Sequence, residues 1–101
     1  MQKTNLATAA NKTVTAAGTA EALVAATDYT FVKSVVIQAL RTNTDLIAVG
    51  DLNVVEATDR GTILAALNTV TFENVYLKDI FVDVGTNGEG VSFTYQAYPG
   101  L

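Results

Sequence analysis

LIAVGDLNVVEATDRGTILAALNTVTFENVYLKDIFVDVGTNGEGVSFTY, residues 46–95, is a series of short runs in which apolar and polar residues alternate, separated by Gly, Asn and Asp. Alternation with a period of two places the apolar side chains of a strand on one face. The pair Asn87-Gly88 readily adopts the positive φ angles that a tight hairpin turn requires. The stretch therefore predicts consecutive antiparallel strands, each with one buried face.

The segment before this stretch contains the longest candidate strand, residues 31–40. Its pattern places Val35, Ile37 and Ala39 on one face and leaves a second face that is also fairly apolar. A strand with two apolar faces is typical of the centre of a sheet. We expect this strand to be central.

Three other segments are less clear. Residues 12–17 and 21–26 flank a short link around Gly18, and together they predict a hairpin. Their alanine content leaves a helix over residues 19–26 as an alternative. Residues 62–67 fit either a strand or a helical turn.

The whole chain contains about seven or eight candidate strands at a spacing of about 8–12 residues. This pattern predicts an all-β fold, a single-domain antiparallel β-sandwich with jelly-roll-like topology. We assign the sandwich to residues 12–97. Residues 1–11, apart from Met1 and Leu6, are polar or small and form a flexible N-terminal arm in this interpretation, and residues 98–101 form a C-terminal tail.

The composition excludes several kinds of chemistry. With 101 residues the chain has room for one domain, and it contains neither Cys nor His. It therefore has no disulfide, no thiolate for a metal and no side chain that titrates near neutral pH without perturbation. Lys33 and Ser34 are neighbours in a strand, so their side chains point to opposite faces and cannot form a nucleophile–base pair. We expect no enzyme activity, no catalytic residue and no cofactor.

The charge pattern bears on partners. The net charge is −4, and the six basic residues are scattered along the chain. Binding to a nucleic acid backbone depends on clustered Lys and Arg, so no nucleic acid partner is expected. No apolar run approaches the roughly 20 residues needed to span a bilayer, and the N-terminus lacks a signal pattern. We therefore expect no membrane association, and synthesis in a cytoplasm without export.

Two groups of carboxylates are candidates for a special role. The acidic loop at residues 51–59 offers several oxygen ligands for Ca²⁺, but it lacks the EF-hand spacing, and solvated carboxylates are the preferred interpretation. Asp79 and Asp83 lie four residues apart, which in a strand would place both on one face. A solvent-facing strand explains this pair better than a glycosidase-like site. We predict no metal site.

Large side chains outside the expected core are the candidates for a partner interface. Aromatic residues supply a large contact area at an interface for little loss of entropy. The candidate contact residues are Leu6, Tyr29, Tyr76, Phe81 and Tyr98.

A set of short motifs resembles a known family. The motifs comprise Val35, Ile37, Ala39 and Leu40, then Asn43-Thr44 and Val49-Gly50, then Leu64-Ala65, Ile80-Phe81-Val82, Gly88-Glu89-Gly90-Val91 and Tyr95. Through them, residues 31–96 resemble small virion proteins of tailed bacteriophages, the capsid decoration, cement and head-fibre-like β-sandwich proteins. Ala66-Leu67-Asn68 departs from the pattern, because the family tends to have Pro and Gly there.

The resemblance implies a structural protein that decorates or cements a bacteriophage capsid. The implied partners are the major capsid protein and further copies of the chain, with a trimer favoured as the homo-oligomer. The acidic charge favours the outer surface of the virion over its genome-facing lumen. The alternative is a carbohydrate- or receptor-binding module of a phage fibre or spike. That function requires exposed aromatic rings with amide or acidic side chains on one concave face, and the absence of Trp argues against it.

Overall fold

The computed structural model describes residues 8–98, which fold into two antiparallel sheets of four strands each. The strands are β1 (Thr8–Thr13), β2 (Glu21–Ala22), β3 (Phe31–Ala39), β4 (Ile47–Gly50), β5 (Thr62–Leu64), β6 (Thr69–Tyr76), β7 (Phe81–Val84) and β8 (Gly90–Ala97). Two short 3₁₀ helices span Glu56–Thr58 and Leu77–Asp79. No helix within residues 8–98 has the length and apolar content needed to cross a membrane.

The order of the strands identifies the topology. Sheet I has the order β1-β8-β3-β6, and sheet II has the order β2-β7-β4-β5. Strands that are distant in sequence are thus neighbours in both sheets, as in a jelly roll built from two Greek keys. The predicted all-β sandwich with about eight strands and a jelly-roll topology is confirmed.

The core lies between the two sheets and is built by the alternating strands. Val35, Ile37 and Ala39 of β3 are fully buried, and β3 is an inner strand of sheet I, as expected. The other buried core residues are Val14, Leu23, Val32, Ile47, Val49, Leu64, Leu77, Ile80, Val82, Val84, Val91 and Phe93. Burying a Val, Leu or Ile side chain stabilises a fold by about 1.5–3 kcal/mol. The period-two pattern therefore accounts for the inner faces of the sheets.

The N-terminal hairpin predicted for residues 12–26 is wrong. β1 pairs with β8 in sheet I, whereas β2 pairs with β7 in sheet II. The alternative helix over residues 19–26 is not formed either, because β2 lies within that segment. The physical reason is that β8 offers β1 six paired residues, Thr8↔Tyr95 to Thr13↔Gly90, many more than the two-residue β2 could offer.

The turn at Asn87-Gly88 is present, but it does not form a hairpin. Gly88 has a φ of 85°, in the left-handed region, as the sequence predicts for a tight turn. The strands on its two sides belong to different sheets, since β7 lies in sheet II and β8 in sheet I. The turn therefore carries the chain across the sandwich.

The boundary of the N-terminal arm also needs correction. Residues 8–11, assigned to the arm, form the first part of β1 and pair with residues 92–95 of β8. Their side chains are mostly exposed, so the apolar pattern gave no sign of a strand. Backbone pairing with β8 holds them in place. Residues 1–7 and 99–101 lie outside the described residues.

Buried polar side chains hold the loop after β3 against the start of β8. The Asn43 side chain donates from Nδ2 to the Gly90 carbonyl at 2.8 Å, and its Oδ1 accepts from the Gly90 N–H at 3.2 Å. The Glu89 carboxylate accepts hydrogen bonds from the N–H and the hydroxyl of Thr44 and from the N–H of Asp45. Burial raises the pKa of Glu89, but these three bonds outweigh it and hold the pKa below its usual range. The ionised carboxylate is thus the form that fastens the loop.

Candidate functional site: an aromatic cluster at one end of sheet I

An irregularity in β3 and β6 sets the direction of the aromatic side chains. The pairing of β3 with β8 shifts by one residue between Val32 and Ser34, and Asn74, beside this point on β6, has a φ of 57°. On the N-terminal side of the shift, Phe31 directly precedes the buried Val32 and faces the outer side of sheet I. Its cross-strand partner Tyr76 is 41% exposed.

Three aromatic rings are in contact at this end of the sheet, and a fourth, that of Tyr29, is linked to them through Lys78. The rings of Phe31 and Tyr76 are in edge-to-face contact, with centroids 4.9 Å apart. Tyr98 stacks on the Phe31 ring at 5.7 Å, and its hydroxyl donates a hydrogen bond to Oδ1 of Asn74. Such aromatic pairs are worth about 0.5–1.5 kcal/mol beyond their buried area. The rings therefore form an ordered surface; we call Tyr29, Phe31, Tyr76 and Tyr98 the aromatic cluster.

Lys78 connects the fourth ring to the others. Its Nζ lies 5.5 Å from the ring centroids of both Tyr29 and Tyr76, within range of cation–π attraction. The same Nζ pairs with Oδ1 of Asp79 at 3.1 Å. Tyr29 is nevertheless 70% exposed, the largest fraction among the exposed large hydrophobic residues of the segment 8–98. A large ring held in place but left in water is available to a partner.

An open groove of about 450 Å³ lies beside the cluster. Its apolar lining includes Phe72, Val75 and Ile80, and its polar lining comes from Asp51, Asn74 and Asp79. The groove therefore combines aromatic rings with amide and carboxylate groups on one concave surface.

The outer face of sheet I, which begins at the cluster, is nearly uncharged. Cross-strand partners share a face, so the register defines its members. Over the regular part of the sheet they are Ala9, Asn11, Ser34, Val36, Gln38, Thr69, Thr71, Glu73, Ser92, Thr94 and Gln96. Glu73 is the one charged residue among them, with Lys33 at the irregularity of β3. Depletion of charge is a property of the central part of protein interfaces.

Three of the five predicted contact residues come together. Tyr29, Tyr76 and Tyr98 are members of the aromatic cluster. Phe81 is half-buried in β7, opposite Ala22 and Gly50, and makes no ring contact with the cluster. Leu6 lies outside the described residues.

Sequence reasoning missed Phe31, the ring that touches both Tyr76 and Tyr98. The sequence pattern places it at the start of the strand over residues 31–40, and it is not among the predicted contact residues. The signal that was available is the spacing of Tyr29 and Phe31, two residues apart, which in an extended segment places both rings on the same side.

The prediction that Asp79 and Asp83 lie on one face of a solvent-facing strand is wrong. Asp79 is exposed and belongs to the 3₁₀ helix, whereas Asp83 is 1% exposed and lies in β7. The Asp83 carboxylate accepts hydrogen bonds from the N–H of Gly18 at 2.9 Å and from the N–H of Glu56 at 2.8 Å. Asp83 thus fastens two loops to sheet II and does not face solvent.

The acidic loop also differs from a simple solvated loop. Desolvation raises the pKa of Glu56, and the nearby charges of Asp45, Asp83 and Asp59 raise it further. Among residues 8–98, no three Asp, Glu, Cys or His side chains are arranged to hold a metal ion. The loop therefore has carboxylates in mutual repulsion.

The repulsion around Glu56 predicts how the stability of the protein depends on pH. Because the pKa of Glu56 is raised in the folded state, the protonated carboxyl favours folding. This contribution to the free energy of unfolding is fully present below the pKa of the unfolded chain and is lost as the pH rises through the pKa of the folded state. We expect Glu56→Gln to raise the free energy of unfolding at pH 7 by about 0.5 kcal/mol, a small effect because the group is partly hydrated. The variant should show little change at pH 3.5. Urea unfolding at both pH values measures it.

Glu73→Gln is the matched control, since it removes the same charge from an exposed position of β6. A gain at pH 7 that is equal in the two variants would contradict the assignment, because it would arise from net charge alone.

Compared with protein-family models, with curated proteins and with solved structures, the chain matches none.

Proposed function

We propose that the chain is a structural virion protein that decorates or cements a bacteriophage capsid by binding the major capsid protein and other copies of itself. The observation that carries the proposal is the aromatic cluster, four rings fixed at one end of a jelly roll with Tyr29 70% exposed. Exposed aromatic anchors of this kind dominate the binding energy of protein interfaces. The site is built for contact with a large partner.

The nearly uncharged outer face of sheet I supports the same function. It extends from the cluster along the sheet and could lie against a flat partner without desolvating many charges. The net charge of −4 is therefore carried mainly by other surfaces. The step from a binding surface to a capsid depends on the resemblance of residues 31–96 to phage virion proteins.

The test is attachment to particles assembled without this protein. We expect Tyr29→Ala combined with Tyr76→Ala to weaken attachment at least about tenfold, because two aromatic anchors at an interface contribute more than about 1 kcal/mol each. Occupancy of the particles, measured by sedimentation over a concentration series, gives the affinity.

Leu67→Ala is the control, since Leu67 is an exposed apolar residue in the turn before β6. The seven residue steps from Thr69 to Tyr76 separate it from the cluster by about 23 Å. Equal losses in the ring variant and in the control would contradict a contact at the aromatic cluster.

The groove favours a second candidate function, a carbohydrate- or receptor-binding module of a fibre or spike. Sugars stack on aromatic rings and hydrogen-bond to amides and carboxylates, and the groove brings Tyr76 together with Asp51, Asn74 and Asp79. A glycan array separates the two functions. Selective binding that Asp51→Ala abolishes would favour recognition, and the same variant should leave capsid attachment unchanged if decoration is the function.

A further inference from the structure

β6 is an open edge of sheet I. It is the last strand of the order β1-β8-β3-β6, and its residues 69–73 form a regular ladder with β3. A strand edge with unpaired N–H and C=O groups is a template for another strand unless it is short, charged with Lys or interrupted by Pro. Residues 69–73, TVTFE, contain neither Lys nor Pro.

The other edges of the sandwich are protected. β2 and β5 have only two and three residues. β1 carries Lys12, whose Nζ pairs with Glu21 of sheet II at 2.8 Å. Among the described strands, β6 is therefore the edge best suited to pairing.

The hydrogen bonds of β3 fix which groups of β6 are free for pairing. Ala39 bonds to residues 67 and 68, on the β6 side, whereas Leu40 bonds to Gly90 of β8. Because backbone groups alternate in direction along a strand, the N–H and C=O groups of Val35 and Ile37 also point towards β6. The N–H and C=O groups of their partners Phe72 and Val70 point back towards β3.

The backbone N–H and C=O groups of the intervening residues of β6 consequently point outward from the edge, in the plane of the sheet. Thr69, Thr71 and Glu73 each direct one N–H and one C=O to the open edge, at a spacing of about 6.8 Å. No backbone hydrogen bond from another described segment reaches these groups.

We infer that this edge pairs with the same edge of a second copy, antiparallel and with the two-fold axis at Thr71. In that register Thr71 lies opposite the partner copy's Thr71, and Thr69 lies opposite Glu73. All three outward-pointing residues then form hydrogen-bonded pairs, each exchanging two bonds. An eight-stranded sheet running through both copies results.

The side chains suit this register. Thr–Thr pairs across strands are favourable, and no Glu faces a Glu. The two Glu73 carboxylates lie about 13 Å apart, beyond the Debye length of about 8 Å at physiological salt. On the inner side, Val70 lies opposite Phe72 of the other copy, so both become covered beside the groove that Phe72 lines.

The pairing closes at two copies, because the contact is self-complementary and the described strands of each copy provide one such edge. A dimer then replaces the trimer that the resemblance favours. This inference rests on the self-association part of the proposed function. The test of the dimer uses no capsid, so a negative result would leave the proposed attachment to the capsid unaffected.

Cysteine cross-linking is the direct test, since the chain has no Cys of its own. Hydrogen-bonded antiparallel pairs have Cα atoms about 5.5 Å apart, within the range of a disulfide. We expect Thr71→Cys to form a disulfide dimer under mild oxidation at micromolar concentration. Thr94→Cys, on the same face but in the inner strand β8, should stay reduced.

A second pair of variants tests the backbone bonds. Thr71→Pro removes one outward N–H, and proline is tolerated on a strand edge, whereas Thr71→Val keeps the N–H. By sedimentation velocity, the wild type and Thr71→Val should be dimeric, and Thr71→Pro monomeric with an unchanged β-sheet circular dichroism spectrum.

Three outcomes would overturn the inference: a wild-type monomer at about 100 μM, a dimer that Thr71→Pro leaves intact, or a Thr71→Cys variant that cross-links no faster than Thr94→Cys.

Discussion

Gly90→Ala is expected to destabilise the protein by about 3 kcal/mol or more, since overpacking of a core commonly costs about 1–3 kcal/mol and a clash with backbone costs more. A Cβ at Gly90 would overlap the Lys12 carbonyl oxygen and lie 2.7 Å from the Thr13 Cα. Both are backbone atoms of β1, so no rotamer change relieves the contact. The Asn43 bonds to Gly90 prevent β8 from moving away.

The measurement is thermal and urea unfolding. For a domain of this size, 1 kcal/mol corresponds to about 4–8 °C in Tm, so a fall of at least about 12 °C is expected. Gly88→Ala is the control, two residues away, with a φ of 85° and no atom within 4 Å of an added Cβ. It should lose only about 1 kcal/mol, the strain of a left-handed alanine. Equal losses would show that backbone strain, and not the contact with β1, sets the requirement for glycine.

Inner-face residues were predictable because their signal is local. In β3, β7 and β8 the alternation of apolar residues alone identifies the buried positions, such as Ile37, Val82 and Phe93. The number of strands and the class of fold follow from the spacing of these runs. Burial of a strand face needs no knowledge of which strand is its neighbour.

Pairing was less predictable, because partners are chosen over long sequence distances. β1 joins β8 about 80 residues later, through backbone bonds that its exposed side chains do not reveal. The burial of Asn43 and Asp83 was unpredictable for the same reason. Each is a polar residue of a type common in solvated loops and edges, yet each is buried because its side chain bonds the backbone of a distant segment.

The aromatic cluster was half predictable for a related reason. Tyr29, Tyr76 and Tyr98 stand out singly as large residues outside the core pattern. Their convergence depends on the shift in β3 near Ser34 and on the left-handed Asn74, which no periodic pattern encodes.

Asp83→Ala is expected to lower the free energy of unfolding by about 3–4 kcal/mol. The carboxylate is 1% exposed and accepts from two backbone N–H groups, those of Gly18 and Glu56. Hydrogen bonds to charged groups contribute about 1.5–3 kcal/mol each, and a truncated side chain leaves both donors without their partner. The loops before β2 and after β4 would both lose their attachment to sheet II. Urea unfolding gives the global loss, and hydrogen exchange at the two amides gives the local one.

Asp83→Asn separates the hydrogen bonds from the shape of the side chain. The amide keeps one acceptor oxygen but places an NH₂ group against the second N–H donor, so a loss of about 2 kcal/mol is expected. Removal of the Asp83 charge should also lower the pKa of Glu56 towards its ordinary value, because that charge contributes to its elevation. Asp79→Asn is the control, four residues earlier and exposed, and should change stability by less than about 0.5 kcal/mol. If Asp79→Asn and Asp83→Asn lost equal amounts and the pKa of Glu56 stayed raised, Asp83 would not be the link between the two loops.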